Sequence, residues 1–192
     1  MNTREFAIGH HSDIPRDGKP QLLRVDAGHK ARGFPQSKLG YFTGYHFFIE
    51  EDGQWVQTRG LDERGAHADN CGCSIDLSGV PRSMINFRSI GICFAGAFQK
   101  DGKPTDAQLK AFHEILWSLQ KMYGSRFLHH REVKATSCPV VDLRPLYAAE
   151  HYKWLEEDLR RKQHALDNVR GVRRTNLERA IAHLLRVLYP TP

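Results

Sequence analysis

A chain of 192 residues, 40% hydrophobic and 26% charged, is long enough to bury one sizeable core and is not composed like a disordered segment, so one domain with an appendage is expected. No apolar run approaches the roughly 18 to 20 residues that span a bilayer, and the start, MNTREFAIGHH, lacks the basic n-region and long apolar h-region of a secretory signal, so synthesis in the cytoplasm without a secretory leader is expected. The formal charge of +6 belongs to the tail: Leu159 to Pro192 carries eight Lys/Arg against two Asp/Glu and everything before it balances, which argues against nucleic acid as a partner of the main domain.

Glu5 to His10 reads as an opening strand, with Ile8 and His10 on one face by the period of two. Ser12 to Pro20 is a polar loop, and Gln21 to Lys30 is compatible with a helix that ends near Gly33. Thr43 to Glu50, rich in aromatic and branched residues, followed by Asp52-Gly53 and Trp55-Val56, predicts a hairpin. Alternation there puts Tyr45, Phe47 and Ile49 on one face and His46 and Phe48 on the other. Leu61 to Phe87 holds Gly, Asp, Asn, Ser and Pro in quantity and reads as a long irregular connection with His67 and Asn86 near its ends. Ser89 to Phe94 is a continuous apolar strand of the kind covered on both faces.

Thr105-Asp-Ala-Gln108 is a capping box for a helix carrying Leu109, Phe112, Leu116, Leu119 and Tyr123, which Gly124 closes. Arg126 to His129 is a last short strand that delivers His130 to its end, and a loop runs on to Cys138. A helix follows from Asp142 through Tyr147, Trp154 and Leu159, and a second capping box, Thr175 to Glu178, opens another with Leu177, Ile181, Leu184, Leu185 and Leu188 on one stripe. Strands interspersed with helices predict an α/β fold, a central mixed sheet flanked by helices, with a C-terminal helical extension.

The cysteines do not form a disulfide framework. Cys93 sits in an apolar strand as a small buried hydrophobe, and Cys71 and Cys73 form a Cys-Gly-Cys whose readings are a second metal site or a strained disulfide. Cys138 is different: it follows His130 by eight residues, so a loop leaving a strand can fold an imidazole and a thiol onto one metal ion. Zinc is the ion those ligands favour. A third ligand is needed, and the His10-His11 pair is its best supplier. His29, His113, His151, His164 and His183 lie in helical patterns and read as structural or solvated.

The order of six segments resembles the zinc amidases related to phage lysozyme-type N-acetylmuramoyl-L-alanine amidases and to peptidoglycan recognition proteins. They are Ile8-Gly-His10-His-Ser12, His29-Lys-Ala-Arg-Gly33-Phe34, Gly44-Tyr45-His46-Phe47, Gly65-Ala-His67-Ala68, Asn86-Phe-Arg-Ser89-Ile90-Gly91-Ile92, and His130-Arg-Glu-Val-Lys-Ala-Thr136-Ser-Cys138-Pro139. The resemblance implies Zn2+ held by His10, His130 and Cys138, with His11 and His129 as the fallbacks in each His-His pair. It implies Tyr45 beside the reacting water and Thr136 as a hydroxyl where phage enzymes carry a lysine. It also implies His67 and Asn86 at the substrate groove. The implied substrate is peptidoglycan, cut at the amide joining N-acetylmuramic acid to L-alanine after release to the cell wall. A non-catalytic peptidoglycan-binding or regulatory module of the same fold is the alternative.

The catalytic domain is expected over residues 1–158. Residues 159–192 read either as a helical pair that packs its leucine stripe or as a basic amphipathic element touching an anionic envelope or membrane surface.

Overall fold

The computed structural model describes residues 4–68, 80–166 and 172–188; Cys71 and Cys73 lie outside them. Five strands form one sheet in the order β3-β2-β4-β1-β5: β1 (Phe6–His11), β2 (Phe47–Ile49), β3 (Trp55–Gln57), β4 (Ser89–Phe94) and β5 (Arg126–His129). The interior strand β1 runs parallel to β4 and to β5, β2 runs parallel to β4, and only the edge strand β3 is antiparallel. Every residue of β1 and β4 is buried, as continuous apolar runs require when a sheet is covered on both faces.

One face packs Phe6 and Ile8 with Ile85, Leu128 and Val133. Toward β2 it packs Phe48 and Cys93 with Leu22 and Val25 of α1 (Leu22–Ala31). On the other face Phe94 meets Phe112, which in turn meets Phe127, with ring centroids 5.1 and 5.3 Å apart. Phe112 comes from α4 (Asp106–Tyr123), whose start and stop are those the sequence announces. Gln108 N–H donates to Thr105 Oγ1 and Thr105 N–H to Gln108 Oε1, and Gly124 closes the helix at φ 67°. Thr105 Oγ1 also donates to Glu51 O, and buried Gln108 Nε2 donates to Ala95 O, so this cap ties the helix to the sheet. Thr105→Ala is expected to lower the unfolding free energy by about 1 to 2 kcal/mol in denaturant titration, the range of a lost N-cap.

The structure departs from the sequence reading in three places. The strand at 43–50 shrinks to Phe47–Ile49, so the alternation stops before Tyr45. Tyr45 packs with Phe48, Cys93 and Val25, the face opposite to the one alternation assigns it. Short helices α2 (Ile85–Arg88) and α5 (His130–Val133) appear where irregular chain was expected, and α3 (Phe98–Asp101) lies in a stretch the sequence left unassigned. Helix α5 forms because Glu132 reaches back to accept from the His129 backbone N–H at 2.7 Å, which caps a single turn.

The chain divides into two compact units, Met1–Leu143 and Arg144–Pro192. Residue 158, the expected end of the catalytic domain, falls inside the unbroken helix α6 (Leu143–Leu166). The last helix, α7 (Val172–Leu188), is already under way three residues before Thr175, so the predicted cap lies within its first turns. In the second unit Leu155 and Leu159 pack with Ile181 and Leu184, while Leu185 points out at 39% exposed. The helices thus cover one another's apolar stripe, which is the stripe an interfacial helix would turn toward lipid. Among the described residues no helix is long and apolar enough to cross a membrane.

Candidate metal centre

Parallel strands β1 and β5 end side by side, and each carries an imidazole at or just beyond its carboxyl end, where open α/β sheets place their ligands. His10 is the fifth residue of β1, on the face of Phe6 and Ile8, and is 1% exposed. His130 opens helix α5 directly after β5. The chain then returns so that Cys138 O accepts from Arg131 N–H at 2.8 Å and Cys138 Sγ accepts from His11 N–H at 3.4 Å. One ligand atom each from His10, His130 and Cys138 lies within 4.8 Å of the other two, and the two imidazole centroids are 4.3 Å apart. These three residues could hold a metal ion.

The neighbours in the two His-His pairs are committed elsewhere. His11 points to the other face, where its Nδ1 accepts from Phe98 N–H at 3.2 Å and its ring packs on Phe98. His129 is fully buried, with Nδ1 3.0 Å from Glu132 Oε2 and Nε2 accepting from Leu143 N–H at 2.9 Å. Both fallbacks are therefore used in holding the fold.

The donor set fits a borderline-soft dication. His130 Nε2 is buried and has no hydrogen-bond partner among the described residues, a cost that close packing alone leaves uncompensated. Burial and the nearby Lys134 hold the His130 imidazole down to about 4, and burial and the adjacent His130 and His67 hold His10 well below the ordinary range, so both are neutral as ligands must be. Burial pushes the Cys138 thiol up to about 12, so it becomes a thiolate near neutral pH only beside a cation. Tyr45, Thr136, His130 and Cys138 line one groove of about 550 Å³, together with His29 and Arg32.

With the sheet, the ligand triangle and the groove in place, residues 3–140 match the N-acetylmuramoyl-L-alanine amidase family. The chain belongs to that family. The chain is 30% identical over 106 residues to an endolysin of Klebsiella phage KP32, covering 53% of this chain and 61% of that one, less than two thirds of its length. It is 27% identical over 147 residues to an endolysin of Enterobacteria phage T3, covering 74% and 84%. Among solved structures it resembles the N-acetylmuramoyl-L-alanine amidase LysC of Clostridium intestinale URNW, at 25% identity and a TM-score of 0.54 over 72% of this chain and 78% of that one.

The remaining residues singled out in the sequence fall into two groups. Tyr45 and Thr136 face the groove. The Tyr45 ring is 5.1 Å from that of His10, and burial, reinforced by nearby Cys93 and Cys138, raises its hydroxyl pKa well above the usual value, so it stays a proton donor. Exposed Thr136 accepts from Cys138 N–H at 3.3 Å, which leaves its own hydroxyl proton free to turn to a ligand. His67 and Asn86 sit beneath the groove instead. His67 is 7% exposed with Nδ1 3.0 Å from His10 Nε2; Asn86 is fully buried and its Oδ1 accepts from the backbone N–H of His67 and Ala68.

One groove residue is read from the sequence as merely structural. His29 follows Leu22 and Val25 on the buried stripe of α1, accepts from Gly44 N–H at 2.9 Å and lies with its ring 5.5 Å from Tyr45. A histidine at the third position of an otherwise apolar stripe, followed four residues on by Gly33-Phe34, is the signal that points to it.

Proposed function

We propose that the amidase hydrolyses the amide between the lactyl group of N-acetylmuramic acid and L-alanine of the stem peptide, using a zinc ion held by His10, His130 and Cys138. The observation that carries this reading is the convergence of those three ligand atoms within 4.8 Å of one another, beside an open groove that His130 and Cys138 line. Three protein ligands with one open position are the arrangement of catalytic zinc, and structural sites are closed by four. Bound there, the ion supplies Lewis-acid polarisation of the scissile carbonyl and a lowered pKa for the attacking water.

The chain's own residues do the rest. Tyr45, kept protonated by its surroundings and hydrogen-bonded through its side chain to Cys93 in this structure, turns its hydroxyl to the reacting water or the oxygen on which charge develops. Thr136, one turn of loop from Cys138, offers a second hydroxyl donor but no positive charge, so the oxyanion is met by neutral donors from the protein. The buried carboxyl end of β1 beneath His10 closes the inner side of the site. Peptidoglycan is the substrate, and the setting we propose is the bacterial cell wall. The C-terminal helices are assigned to packing on each other rather than to membrane contact.

The test is digestion of purified peptidoglycan by the full chain. New L-alanine amino termini are expected, lost on chelation and restored by zinc. Retention of the chain on the wall with no new amino termini assigns the fold here to a binding module. Tyr45→Phe is expected to lower the hydrolysis rate by about 100-fold or more, the scale of one lost transition-state donor, while zinc content by elemental analysis stays at the parent level.

A further inference from the structure

His67 is confined in a slot with a glycine on two sides. A Cβ on Gly65 would stand 2.5 Å from His67 Cδ2, and one on Gly91 would stand 2.7 Å from the same atom. Asn86 Oδ1 fixes the backbone of His67 and Ala68 from below. The ring therefore has one orientation, and among the described residues each of its nitrogens has one hydrogen-bond partner: Nδ1 lies 3.0 Å from His10 Nε2, and Nε2 lies 3.4 Å from Ser89 Oγ.

The direction of this chain is set at its far end. Ser89 Oγ is 2.6 Å from Ile85 O, and a carbonyl oxygen can only accept, so the serine proton is committed there. Ser89 Oγ then turns a lone pair to His67, which carries its proton on Nε2. His67 Nδ1 is left as an acceptor, and the bond to His10 is made by a proton on His10 Nε2. The lone pair that His10 can give away is thus on Nδ1.

We propose that His67 and Ser89 are positioning residues that hold His10 as its Nε2–H tautomer and so select Nδ1 as the atom it offers to the metal. This rests on the zinc reading above and deepens it. It also gives His67, implied by resemblance as a substrate contact, a role exercised through His10. A hydrogen-bonded outer partner fixes the ring and raises the basicity of a ligating imidazole.

Long-range proton–nitrogen NMR correlation of the full chain reads the tautomer directly. His10 is expected to carry its proton on Nε2 both without metal and with one equivalent of Zn2+, and the nitrogen shifted by zinc is expected to be Nδ1. A proton on Nδ1 in the metal-free chain, or a zinc-induced shift at Nε2, overturns the proposal. Chelator-competition titration with Zn2+ gives the second readout: His67→Phe is expected to bind zinc roughly 10- to 100-fold more weakly. Ser89→Ala, which leaves the ring packing in place, is expected to show a mixture of His10 tautomers. Parent-like zinc affinity in a folded His67→Phe chain, together with an unmixed tautomer in Ser89→Ala, overturns it as well. If the parent chain takes up no zinc, the zinc reading fails and the choice of ligand atom falls with it, while the metal-free spectrum still decides the tautomer.

Discussion

Cys138→Ala is expected to lose zinc and to release L-alanine amino termini from peptidoglycan at least about 1,000-fold more slowly than the parent, since a Lewis acid at the scissile carbonyl accounts for several kcal/mol of transition-state stabilisation. The substitution leaves two imidazoles, too few to retain a catalytic ion. It removes little of the fold, because Cys138 is half-buried on the groove wall and its main-chain bond to Arg131 N–H survives. Elemental analysis and an amino-terminus assay on the same preparation check it, with circular dichroism to confirm the folded state. Full activity in this variant rejects the ligand assignment.

The second large effect is expected far from the chemistry, at Arg4. This arginine is 1% exposed and its hydrogen bonds go to main-chain carbonyls: Nε donates to Leu61 O at 2.6 Å, Nη1 to Phe87 O at 2.5 Å and Nη2 to Glu63 O at 2.5 Å. One guanidinium thus gathers the segment leading to His67 and the chain following Asn86, on which the seat of His10 depends. Arg4→Leu takes the guanidinium donor from Leu61 O and Phe87 O, while Glu63 O keeps its bond to His46 Nε2 at 3.1 Å, at roughly 1 to 3 kcal/mol for each carbonyl left buried and unpaired. A loss of about 3 to 5 kcal/mol in unfolding free energy is expected by denaturant titration. Arg4→Lys is expected to recover little, because a single ammonium cannot reproduce the planar fork. A change of less than about 1 kcal/mol in Arg4→Leu, the net worth of one ordinary hydrogen bond, contradicts this role.

What could be read from the sequence follows from how local the signals are. The Thr105 to Gln108 box and Gly124 bracket α4 because capping is a matter of neighbouring residues, and the apolar run of β4 marks a strand buried on both faces. His130 and Cys138 were visible as a pair because eight residues of loop join them, whereas His10 entered only as the better half of a His-His pair. Its selection over His11 depends on which face of β1 looks toward β5's end and which toward Phe98, a fact of sheet packing. Tyr45 shows the opposite failure: the period of two holds only while the strand lasts, and β2 begins two residues too late to govern it. The parts played by His67 and Ser89 were illegible because the glycines that make room for the ring, Gly65 and Gly91, act through space across different segments. The helix at His130 was missed because its cap is a carboxylate at the third position of a single turn, a signal too short for periodicity to register.

The central claim is tested most directly by X-ray absorption at the zinc edge of the full chain carrying one equivalent of the metal. The account predicts one sulfur scatterer at about 2.3 Å and nitrogen or oxygen scatterers at about 2.0 to 2.1 Å, with imidazole outer-shell features. A first shell without sulfur, or with two, contradicts it.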